Sequence, residues 1–131
     1  MPTKLQSLSA NALLLLHKGI VTFEELDVSY TQILQKAPHY LLGDGMHMIY
    51  SLDVLQDERL ISKIMDLMDQ PTFVRLFLVI PNEHPLRDAV LQMYTELGYK
   101  DQLELVRSRE DGIQAIQVLD QKISNPTNDA E

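Results

Sequence analysis

Apolar residues fall in short unbroken blocks, and each block is followed by a stretch with helical spacing. Ala12 to Leu16 is the first block. It is too short for an ordinary helix and predicts a buried strand, with Ile20 and Val21 extending it past a bend at Gly19. Thr22-Phe23-Glu24-Glu25 then reads as a capping box that opens a helix. Leu26, Tyr30, Ile33, Leu34 and Ala37 form its stripe, and Pro38 stops it.

The same alternation repeats. Gly43-Asp44-Gly45 predicts a turn, and Met46 to Ser51 a strand with Met46, Met48 and Tyr50 on one face. A second helix is expected from about Asp57 to Met68, with Leu60, Ile61, Ile64, Met65 and Met68 inward. Phe73 to Ile80 (FVRLFLVI) is the strongest strand signal and is placed centrally, because only Arg75 interrupts it. Pro85 suits the first turn of a third helix carrying Leu86, Ala89, Val90, Met93, Tyr94 and Leu97, and Gly98 ends it. Leu103 to Arg107 is a fourth strand. Ser108 caps a fourth helix with Asp111 three residues on, and Ile113, Ile116, Leu119 and Ile123 line it. The expected fold class is α/β: a single domain, β-α repeated four times, with a mostly parallel central sheet flanked by helices.

Length agrees with one domain, since 131 residues can bury one sizeable core. Residues 1–123 are expected to form it. Ser124 to Glu131 (SNPTNDAE) offers almost nothing apolar and is expected to be a flexible acidic tail. The net charge of −8 repels phosphate backbones and anionic lipid, so neither nucleic acid nor a membrane is an expected partner. With no cysteine, disulfides, thiol catalysis and thiolate metal sites are excluded. The start has no signal-peptide organisation and no block is long enough to span a bilayer, so a cytoplasmic location is expected.

Catalytic motifs are scarce. His17, His39, His47 and His84 show no metal-ligand spacing. His39, Asp44 and His47 could converge only through folding, and turn or strand roles suit them better, so no metal and no other cofactor is expected. Asn82, Glu83 and His84 follow the strongest strand at its C-terminal end, where open α/β sheets bind ligands. Ser51 ends the preceding strand, and Asp53 follows it at the same edge. Asp53 with His84 could do acid–base work, although caps and turns need the same residue types. There is no phosphate-cradling glycine loop between a strand and a helix, and no GxSxG elbow. A phosphoryl-accepting receiver domain needs an acidic pair after the first strand, where this chain has His17-Lys18-Gly19.

From Met48 onward the layout resembles a STAS domain, the fold of anti-sigma-factor antagonists. MIYSLDVLQDERLISKIMDLMDQPTFVRLFLVI is similar to that family's strand, loop, helix and following strand. NEHPLRDAVLQMYTELGY resembles its short next helix, and LELVRSREDGIQAIQVL its last strand and closing helix. The likeness of pattern runs over roughly residues 12 to 122. It implies a non-enzymatic regulatory module that binds a protein partner through the start of the second helix, here Asp53, Asp57, Glu58 and Arg59. Many of these antagonists carry a phosphorylatable hydroxyl at that helix start. This chain has Asp57-Glu58-Arg59-Leu60 there, without a hydroxyl, and an acid at a helix N-terminus partly mimics a phosphate's charge. A homodimer is compatible with this reading. The alternative is a small-ligand sensor with a pocket near Ser51, Asn82 and His84. An enzyme using Asp53 and His84 ranks last.

Overall fold

A computed structural model describes residues 3–20, 22–49, 57–85 and 87–124. In chain order the elements are β1 (Thr3–Ser9), β2 (Ala12–Ile20), α1 (Phe23–Lys36), β3 (Tyr40–Ile49), α2 (Glu58–Met68), β4 (Arg75–Val79), α3 (Arg87–Glu96), a short 3₁₀ turn (Lys100–Gln102), β5 (Leu103–Val106) and α4 (Arg109–Ser124). The five strands form one sheet in the order β1-β2-β3-β4-β5. The β2–β3, β3–β4 and β4–β5 pairs are parallel, and only β1–β2 is antiparallel.

Strand pleating sends alternate side chains to opposite faces, and the core divides accordingly. Leu13, Leu15, Leu41 and Leu76 share one face with Leu26, Tyr30 and Ile33 of α1, Leu60, Ile64, Leu67 and Met68 of α2, and Val90 and Tyr94 of α3. Ala12, Leu14, Tyr40, Leu42, Phe77, Val79 and Val106 occupy the other face with Ile116 of α4. Among the described residues, three helices therefore cover one face and one helix the other. The close approach of α4 depends on Gly112, where a Cβ would meet Leu42 Cδ1 at 2.6 Å.

Local signals place the helix ends as expected. Thr22 Oγ1 accepts from the Glu25 amide at 3.4 Å, and Ser108 Oγ from the Asp111 amide at 3.1 Å. Before Pro38, Ala37 ends α1 in the left-handed region at φ 47°. Gly98 follows α3 at φ 88°, a conformation that glycine adopts without strain.

Several expectations need correction. A strand, β1, precedes the expected first one; it is mostly polar, and its two leucines, Leu5 and Leu8, pack on opposite faces of the sheet, so no period-2 apolar stripe marks it. Gly43-Asp44-Gly45 is not a turn but part of β3, which starts at Tyr40 rather than Met46. The missing side chain at Gly43 admits Leu78 of β4, and the charge of Asp44 is met by a residue far along the chain. On α2, Met65 is exposed and Leu67 takes the core position expected of a neighbour. Ala89 of α3 is likewise exposed, so Val90 and Tyr94 carry that helix's burial. The strongest strand, β4, is interior, with β3 between it and β2 as the middle of the sheet. The helix α4 runs through Ser124, one residue into the expected tail, and the rest of the tail lies outside the described residues.

Candidate functional site

The start of α2 is built on Asp57. Its extended backbone and side chain form the N-cap: Oδ1 accepts from the Arg59 amide at 2.9 Å. The same carboxylate accepts from the Arg59 guanidinium, Nε to Oδ1 at 3.1 Å and Nη2 to Oδ2 at 2.8 Å. The Arg59 side-chain hydrogen bond, then its backbone hydrogen bond, holds the Asp57 carboxyl below the usual carboxylate range. Asp57 therefore carries its charge at neutral pH, but the charge is shared with a forked cation. Asp57 itself therefore presents no bare phosphate-like charge.

Arg59 has a second support. Its guanidinium carbon lies 3.9 Å from the centre of the Phe23 ring, at the first residue of α1. Four residues further along each helix, Lys63 Nζ meets Asp27 Oδ1 at 3.4 Å. These contacts join the N-terminal halves of α1 and α2 along a shallow, mostly apolar groove of about 500 Å³, lined by Phe23, Asp27, Glu58, Arg59, Ser62 and Lys63. Arg59 remains 63% exposed, so the fork holds it in place without removing it from solvent.

The structure brings together Asp57, Glu58 and Arg59 of the expected partner surface. Asp53 and Ser51 lie outside the described residues, as does Tyr50 of the expected strand face; the Met46 and Met48 side chains are not described. Asn82 is exposed in the turn after β4, and His84 is half-buried two residues on, its amide donating to Pro81 O at 3.0 Å. The described residues thus supply two members of the expected ligand cluster and leave its other side undefined. The contribution of α1 was missed from sequence. Phe23 reads there only as part of the capping box, Asp27 carries no signal, and nothing local says that they face α2.

A second polar cluster lies at the C-terminal end of the parallel strands. Asp44 of β3, with a side chain only 7% exposed, accepts from Arg109 Nε of α4 at 2.8 Å. His17 of β2 is buried nearby; burial lowers its pKa to about 4 against an opposing pull from Asp44. Asp44 thus pairs with α4, and the His47 side chain expected beside it lies outside the described residues. Among the described residues no three metal-ligating side chains gather, and no helix is long and apolar enough to cross a membrane.

This geometry has counterparts among solved proteins. The anti-sigma-factor antagonist SpoIIAA in its unphosphorylated form superposes with a TM-score of 0.57 at 8% identity, over 88% of this chain and 96% of that one. The phosphorylated form of the same Bacillus cell-fate determinant gives 0.54 at 9% identity, over 87% and 98%. The fold is STAS-like. No family model matches the sequence, and no curated protein matches it. The architecture is the expected mostly parallel sheet flanked by helices, with one strand more than expected.

Proposed function

We propose that this chain is a non-enzymatic regulatory module that binds a protein partner through the start of α2 and the adjoining part of α1. The observation that carries this reading is Arg59, forked onto Asp57 and stacked on Phe23 at the mouth of a shallow groove. Arginine and aromatic side chains are favoured interface anchors, and an arginine already held in one geometry loses little entropy on binding. A groove this open and shallow suits a protein surface better than an enclosed small molecule. The STAS-like fold agrees, because the solved structures it resembles include an anti-sigma-factor antagonist.

The absence of a hydroxyl at residues 57–60 distinguishes this site from one switched by phosphorylation at the helix start. Asp57 and Arg59 hold the local charge fixed, so the surface is built for constitutive binding.

The test is capture from the native host's lysate with two baits, the wild-type chain and the Glu58→Lys/Arg59→Glu variant. The variant conserves net charge and leaves the Asp57 cap available. A partner held by the wild type, competed off by untagged chain and lost by an equally stable variant supports the proposal. Equal capture by both baits, or none by either, refutes it.

A further inference from the structure

The charges around the α1–α2 groove do not balance. Both of its cations are engaged within the chain, Arg59 with Asp57 and Lys63 with Asp27. Glu58 stands exposed on the lining, and Glu24 is close enough to raise the Arg59 pKa behind the larger effect of Asp57. Four carboxylates thus surround two cations. The whole chain carries −8, so the long-range field has the same sign as the local excess.

We infer that this groove takes a basic amphipathic segment of a protein partner, with a lysine or arginine drawn to Glu58 and Glu24 and a neighbouring apolar side chain laid against Phe23. The inference rests on the partner-binding reading above and adds the partner's chemistry. An acidic segment would bring its charge against Glu58 and Glu24, neither of which forms a salt bridge among the described residues. A basic one is attracted from a distance and complements the rim on arrival. The forked Arg59–Asp57 pair is already satisfied, so covering it leaves no lone charge behind. Phe23 supplies what charge alone lacks, an apolar contact that fixes where the segment sits. Nucleic acid and anionic membrane are repelled by the same excess.

Two amidated twelve-residue helical peptides probe this directly, one of leucine and lysine and one with every lysine replaced by glutamate. Each is titrated into the ¹⁵N-labelled full chain, and amide shifts are followed by NMR. The leucine/lysine peptide is expected to shift Phe23, Asp27, Glu58, Ser62 and Lys63 saturably. Its Kd should rise at least fivefold in the Glu24→Gln/Glu58→Gln variant, whose own spectrum reports that it is folded. Shifts spread evenly over other acidic sites such as Glu110 and Asp111, an unchanged Kd in the variant, or equal binding of the leucine/glutamate peptide would overturn the inference. Lysate capture that depends on Glu58 and Arg59 while the basic peptide ignores the groove would refute the partner's basic character alone. Capture that does not depend on them would refute the surface itself.

Discussion

Arg109 Nε donates to Asp44 Oδ2 at 2.8 Å, tying the first residue of α4 to the middle strand of the sheet. The two residues are far apart in sequence, and among the described residues α4 is the one helix on its face. At the other end of α4, Asp120 accepts from Ser9 Oγ and Asn11 Nδ2, each at 3.0 Å. The helix is thus held by polar contacts at both ends and by Ile116 and its apolar neighbours between them.

The upper tie has a measurable value. Truncating Arg109 to alanine removes a hydrogen-bonded cation from a carboxylate that is 7% exposed. Losing one partner of a fully buried pair costs several kcal/mol, but Arg109 is 40% exposed and water screens the pair, so about 2 kcal/mol is expected here. Denaturant unfolding should show a lower midpoint at unchanged slope. An effect under a few tenths of a kcal/mol would mean that the tie contributes nothing.

Close to that tie, His17 makes the protein sensitive to mild acid. Burial lowers its folded pKa to about 4, while the unfolded chain has the ordinary value of 6.5. The neutral form is favoured by folding, so this contribution is intact above pH 6.5 and is lost progressively as the pH falls toward 4. Linkage gives a loss on the order of 2 kcal/mol between pH 7 and pH 5, a range above most carboxylate titrations. Thermal unfolding across that range should show the loss in the wild type and a flatter profile in His17→Gln. Equal slopes in the two proteins would contradict the assignment.

Ala37 offers the opposite kind of change. It ends α1 at φ 47°, its amide bonding Ile33 O, and it is exposed. A side chain in the left-handed region costs roughly 1 kcal/mol that glycine avoids. Ala37→Gly should therefore stabilise the chain by about 0.5–1 kcal/mol, seen as a melting temperature several degrees higher. A lower melting temperature would show that added freedom in the unfolded chain outweighs the relief of strain.

The alternation of strands and helices was legible because burial on both sheet faces demands apolar blocks such as Leu13 to Leu16, and helices need caps such as Thr22 and Ser108. What was illegible depended on distant partners. Asp44 between two glycines reads as a turn until Arg109 is known to neutralise it and Leu78 to fill the space beside Gly43. The edge strand β1 is mostly polar, and its two leucines pack on opposite faces of the sheet, so it shows little periodicity. At the candidate site, Asp57, Glu58 and Arg59 were found through the STAS resemblance, which points to the start of the second helix. Phe23 and Asp27 were not, since only the packing of α1 on α2 brings them there.

The central claim is that the partner meets the α1–α2 groove. A photocrosslinking p-benzoylphenylalanine in place of Ser62, on the groove lining, compared with the same group in place of Gln117, exposed on α4, tests it most directly. Irradiated in host lysate, the Ser62 position should give a discrete adduct that untagged chain competes away, and the Gln117 position none. An adduct at Gln117 alone, or equal adducts at both, would contradict the account.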